Sequence, residues 1–126
     1  MDENTISRIV VDSAIEVHRT LGGPGLLESV YEEALAWELS SRELHIERQK
    51  EVLISYKGNL LAYPLKLDLL VNGLVVIEVK AVVLYNQIFE AQALTYLRLL
   101  DLKLALVINF GNARVGNGIH RVVNGL

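Results

Sequence analysis

Asp68-Leu-Leu-Val-Asn-Gly-Leu-Val-Val-Ile-Glu78-Val-Lys80 is the stretch on which the fold turns. Asn72-Gly73 is a strong turn signal, and nearly every position on either side of it is apolar. Residues 74–79 are apolar except for Glu78, the pattern of a strand covered on both faces and therefore central in its sheet. Two carboxylates and a lysine on such a ribbon are expensive to remove from water, so they need partners or a metal ion.

Register decides whether the two carboxylates meet. With a strict two-residue loop at Asn72 and Gly73, paired positions sum to 145, and Asp68 faces Ile77 on the side opposite Glu78. A three-residue loop with a bulge makes that sum 146 and sets Asp68 directly across from Glu78. Both geometries are open to the sequence, and only the bulged or bent one makes a joint site.

Working outward, Ile6, Ile9, Val10, Ser13, Ala14, Val17 and Leu21 follow the i, i+3, i+4, i+7 spacing of an amphipathic helix over about residues 4–20, with Asp2 or Asn4 as N-cap. Gly22-Gly23-Pro24-Gly25 stops it, and the spacing predicts a second helix over 26–40 with Leu27, Val30, Tyr31, Ala34 and Leu35 inward. From His45 the period becomes two, with Val52, Ile54 and Tyr56 on one face, and Lys57-Gly58-Asn59 turns into a strand over 60–71. Pro64 interrupts that strand, which implies an edge, a bulge, or a strand that begins only after it. A third helix is expected over 87–100, with Ile88, Ala91, Leu94, Thr95 and Leu99 as its stripe. A buried strand over 104–109 and a short one over 118–123 follow. The order α-α-β-β-β-α-β-β predicts an α/β fold, a mixed sheet flanked by helices, in which one helix crosses over between two strands.

The composition sets limits. The 126 residues suit one domain over 1–126, and an apolar fraction of 52% with only two prolines argues against disorder. The longest apolar runs are far short of the roughly 20 residues that span a bilayer. Met1-Asp2-Glu3-Asn4 has no basic start, and the chain has no cysteine for a disulfide or a thiolate metal site. No membrane partner is expected, and the natural location is the cytoplasm of a prokaryotic cell. A net charge of -3 counts against tight, non-specific binding of nucleic acid, which rests on a basic face. Any such role needs a local cluster, or metal ions bridging to phosphate.

Asp68, Glu78 and Lys80 are the first candidates for chemistry. Two carboxylates at one site repel unless a hard divalent cation lies between them, and Mg²⁺ favours a few carboxylate oxygens plus water. Lys80, two residues beyond Glu78, projects to the same strand face and could assist a bound water or stabilise developing phosphorane charge. Glu28, in the first turn of the second helix, suits the helix dipole as a cap or serves as a third acidic ligand. Gln92 and Tyr96, at i and i+4, stand one above the other on the third helix. They are either an amide and a phenol at a helix boundary or groups that hold Lys80, a water or a phosphate. His18 is expected to be structural, with no histidine cluster and no Ser-His-Asp arrangement.

Together these residues resemble the GxxExxY protein family, similar in turn to the PD-(D/E)XK nuclease superfamily. The similarity runs from Val17-His-Arg-Thr-Leu-Gly22 through Gly25-Leu-Leu-Glu28-Ser-Val-Tyr31, Asp68-Leu-Leu-Val, Glu78-Val-Lys80, Glu90-Ala-Gln92, Tyr96-Leu and Ile108-Asn-Phe-Gly111. The resemblance implies a restriction-endonuclease-like αβββαβ core with an extra N-terminal helix, and phosphodiester hydrolysis with Mg²⁺ (or Mn²⁺). It implies that Asp68, Glu78 and Glu28 serve as metal ligands, with Lys80, Gln92 and Tyr96 completing the catalytic set. The expected partner is nucleic acid, DNA ahead of RNA, and the small size with no DNA clamp leaves room for a homodimer. The rival class is a catalytically inactive module of the same fold that binds a protein or nucleic acid, its charged residues surviving as a satisfied polar network.

Overall fold

The computed structural model describes residues 1–126. Two helices, α1 (Glu3–Leu21) and α2 (Glu28–Ser41), precede the strands β1 (Ile46–Val52), β2 (Ser55–Tyr56), β3 (Asn59–Leu60), β4 (Leu65–Val71) and β5 (Val75–Lys80). The helix α3 (Ile88–Leu100), then β6 (Leu104–Asn109), a 3-10 turn at Val115–Gly118 and β7 (Ile119–Val123) complete the chain. β1, β4, β5, β6 and β7 form one sheet in that order, and β2 and β3 pair as a separate small hairpin. Only β5 and β6 run parallel, joined by the α3 crossover. β5 is central, as its run of apolar residues around Glu78 requires, and no helix is long and apolar enough to cross a membrane.

The ends of α1 have local causes. Asp2 accepts a hydrogen bond from the Thr5 N–H at 2.8 Å, and Gly22 closes the helix in the left-handed region, its N–H donating to the Arg19 carbonyl. α1 and α2 cover one face of the sheet, where Ile6, Val10, Tyr31 and Leu35 meet Leu69, Val71, Ile77, Leu106 and Ile108. α3 covers the other, setting Ala93 and Leu97 against Leu67, Leu70, Val76 and Val107. Burying a side chain of this size contributes about 1.5–3 kcal/mol each.

Three expectations need correction. Leu27 is the exposed N-cap of α2 and Val30 is exposed, because the helix begins at Glu28 and is rotated to point Tyr31, Leu35 and Leu39 inward. The stripe of α3 is not Ile88, Ala91, Thr95 and Leu99, which are exposed; Phe89, Ala93, Leu94, Tyr96, Leu97 and Leu100 pack on the sheet instead. Tyr56 and Leu60 belong to the small hairpin and face solvent, so β4 begins only after Pro64.

The turn after β4 takes the wider register. Leu69 pairs with Ile77, Leu70 with Val76 and Val71 with Val75, so Asn72, Gly73 and Leu74 form a three-residue connection. Asn72 (φ 52°) and Gly73 (φ 66°) are both left-handed, and the Asn72 side chain accepts the His45 N–H at 2.8 Å. That contact fastens the turn to the start of β1 and fixes the hairpin's register.

On the far side of the sheet, Asn109 is buried and its amide grips Val82 from both sides, accepting the Val82 N–H and donating to the Val82 carbonyl, each at 3.0 Å. Gly111 packs so closely here that a Cβ would lie 2.2 Å from the Val82 oxygen, whereas one on Gly116 would meet nothing. Gly111→Ala is expected to destabilise the fold by about 2–3 kcal/mol, and Gly116→Ala by less than about 0.5 kcal/mol, as read from urea unfolding midpoints.

Candidate active site

The sheet splits at Asp68. In a regular strand Leu65, Leu67, Leu69 and Val71 would share a face. In β4 the first two pack on the α3 side and the last two on the α1–α2 side, so the strand reverses its faces at Asp68. β1 reverses with it: Ile46 packs on the α1–α2 side and Val52 on the α3 side. The β1–β4 ladder skips the pair Gln49 and Asp68, and Gln49 has a φ of 49°. Pairing of β4 with β5 stops at Leu69 and Ile77, so the first half of β4 stays with β1 while the last half of β5 stays with β6.

Asp68 and Glu78 stand at the apex of this opening and replace the ladder that ends there. The Asp68 N–H donates to Glu78 Oε2 at 3.1 Å, and the Val79 N–H donates to Asp68 Oδ2 at 2.8 Å. Each carboxylate thus satisfies a backbone donor that the split strands would otherwise orphan. Glu78 is only 6% exposed. Burial first, and then the Asp68 charge beside it, push its carboxyl up from 4.5 to about 8, against smaller opposing pulls from the Asp68 backbone N–H and then Lys80.

The remaining candidates lie around this pair. Glu28, at the start of α2, has its carboxyl raised first by desolvation, with Lys80 pulling the other way, Asp68 adding to the rise and the Ala81 backbone N–H opposing it. The residue keeps an exposed flank while its carboxyl feels the charges of both strands. Tyr96, half-buried on the inner face of α3, has its phenol raised by burial and then by Glu78 and Asp68. Lys80 places Nζ 4.6 Å from the centre of the Phe89 ring, a cation–π contact. Gln92 is exposed and shares with Lys80 a cavity of about 610 Å³, which Phe89 and Thr95 also line. The structure therefore brings Asp68 and Glu78 into direct contact, with Glu28 and Tyr96 within electrostatic reach, and sets Gln92 beside Lys80. No three His, Asp or Glu side chains converge as a ready-made cage; the acids form a pair with a third standing off.

Several further residues support the site. Tyr31 donates to the Gly23 carbonyl at 2.6 Å, accepts the Leu26 N–H at 3.2 Å and stacks on Phe110 at 4.7 Å. It anchors the loop from which Glu28 emerges. His18 is buried with Nε2 3.2 Å from the Phe110 carbonyl, a structural role as expected. Tyr85 stacks on His120 at 4.0 Å and meets the Phe89 ring edge-on, which holds the platform under Lys80. Glu32, 6% exposed, holds Arg48 at 3.2 Å and Gln49 at 2.7 Å. A glutamine with a left-handed backbone in mid-strand is invisible to periodicity.

A split mixed sheet with an acidic pair at its apex and a lysine two residues on defines a nuclease-type fold. The family model described as PD-(D/E)XK nuclease superfamily matches residues 4–122, and the chain belongs to that superfamily. Comparison with curated proteins and with solved structures gives no significant match.

The acidic pair fixes a pH dependence. Between pH 4.5 and about 8 the folded protein holds a proton on Glu78 that the unfolded chain has released. This contribution to stability is therefore full below pH 4.5 and lost as the pH rises through about 8. In EDTA, the melting temperature is expected to fall by about 5–10 °C from pH 5 to pH 8.5. Glu78→Gln, neutral throughout, should remove most of that slope in thermal melts.

Proposed function

We propose that this protein is a divalent-metal-dependent nuclease of the GxxExxY type, acting as one domain on the phosphodiester bonds of nucleic acid, DNA ahead of RNA. The observation that carries the reading is the Asp68–Glu78 pair, two carboxylates that each accept a backbone N–H of the opposite strand at the apex of a split sheet, near enough for the Asp68 charge to act on Glu78. Hard oxygen donors at close quarters, one of them kept protonated by burial and then by its neighbour's charge until a cation displaces that proton, suit Mg²⁺ or Mn²⁺. Gly25, Glu28 and Tyr31, at the spacing that gives the GxxExxY family its name, support the assignment within the superfamily.

Asp68 and Glu78 would hold the cation, and Glu28 is the third acid available to it. When bound, the cation supplies Lewis-acid stabilisation of charge developing on the phosphate. Lys80 is the only one of these groups that brings positive charge of its own. From its seat on Phe89 it can move into the opening to stabilise the attacked phosphate and donate a hydrogen bond to the oxygen of the attacking water. Tyr96 keeps its phenolic proton, since burial and then the two neighbouring acids disfavour the phenolate, and remains a donor to a phosphate oxygen. Gln92 offers amide donors and an acceptor to the same cavity as Lys80.

Calorimetric titration with Mn²⁺ and Mg²⁺ tests the site. Wild type should bind at up to millimolar concentration and Asp68→Ala should not. Mn²⁺ should raise the melting temperature more at pH 8 than at pH 5, because binding requires both carboxylates deprotonated. Lys80→Ala should keep Mn²⁺ binding and lose about 10²-fold or more in cleavage rate on labelled DNA and RNA. No binding by wild type at millimolar metal would sink the reading; binding without cleavage of any nucleic acid would favour the non-catalytic module.

A further inference from the structure

We propose that Gln49 is a positioning residue that fixes the orientation of Asp68, an inference that rests on the metal-dependent reading above and extends it to a residue outside the nuclease motifs. Gln49 lies across from Asp68 at the one place where the β1–β4 ladder omits a pair. Its φ of 49° sets it in the left-handed region within a strand, where a Cβ is crowded by the backbone and Gly or Asn is the usual occupant. Strain of that kind persists only where the surrounding structure holds it in place.

What holds it is the side chain. Gln49 Nε2 lies 2.7 Å from Glu32 Oε1 and 3.5 Å from Asp68 Oδ1. Facing two carboxylates, the amide must present its nitrogen, whose two hydrogens match the two acceptors. Glu32 is a fixed post: it is 6% exposed and its other oxygen holds Arg48 at 3.2 Å. It also lies one turn beyond Glu28 on α2, so the same post relates the helical acid to the strand acid.

The consequence falls on the Asp68 carboxylate, whose terminal torsion is intrinsically soft. The Val79 N–H directs Oδ2, and Gln49 directs Oδ1. With a donor facing each oxygen the group is biased toward Glu78, and lone pairs on both oxygens remain free for a cation. A regular β1 with Gln49 in extended conformation would turn the amide away and leave Asp68 held at one oxygen only.

Gln49→Gly separates this role from a merely structural one, because glycine accepts the backbone conformation and deletes only the tether. In Mn²⁺ calorimetry the variant is expected to bind about 10- to 100-fold more weakly than wild type, while its melting temperature stays within a few degrees. Gln49→Asn, which tolerates the left-handed region but is too short to span both acids, should weaken binding likewise and decides the matter if the glycine variant does not fold. In the metal-free wild type, the Gln49 side-chain amide resonances should shift on Asp68→Asn. Variants that bind Mn²⁺ as wild type does would overturn the positioning role and leave the metal site standing. A wild type that binds no Mn²⁺ would remove the metal site itself, and this proposal with it.

Discussion

The exchange of backbone hydrogen bonds between Asp68 and Glu78 is the constraint on which the rest of the site depends. β4 pairs with β5 only from Leu69 onward, and two buried strands that part must leave donors without acceptors. Carboxylate side chains fill those places, Glu78 on the Asp68 N–H and Asp68 on the Val79 N–H. Structure and reactivity are joined in this exchange. The groups that let the sheet open are the ones that repel each other within it, and burial, with that repulsion added, raises the Glu78 pKa.

The two helical layers hold the opening from either side. On one face Tyr31, Phe110 and His18 form an aromatic cluster that grips the glycine-rich loop, and Glu28 leaves that loop at a set position. On the other, Tyr85 and His120 support Phe89, and Phe89 carries the Lys80 ammonium. Asn109 and Gly111 hold the segment beyond Lys80 against β6. Glu28 and Lys80 are thus supported from opposite layers of the fold.

Much of this was legible along the chain because it is local. The helix α1, the central β5 and the buried β6 follow from apolar period and capping, while Pro64 left three possibilities for the strand around it, of which a start after the proline is the one found. Asp68, Glu78 and Lys80 stood out as charges on an apolar ribbon. The inward faces of α2 and α3 were misjudged, since Leu27, Val30, Ile88 and Leu99 are apolar yet exposed. A helix with apolar residues on more than one side does not announce which side is covered; the sheet it packs on decides. Gln49 and Glu32 gave no signal at all, because a polar residue in a strand looks the same whether it meets water or a carboxylate 2.7 Å away.

The sequence by itself determined the order of elements, the central strand and the presence of two acids and a lysine on one hairpin, since each of these depends on neighbours within a turn or a strand. Whether those acids meet depended on a choice between two registers, and tertiary structure made it. Asn72 is tied to His45 across the β1–β4 pair, which favours the three-residue connection over the two-residue one. Contacts between residues distant in the chain are set by the energy of the assembled sheet, and no local period encodes them.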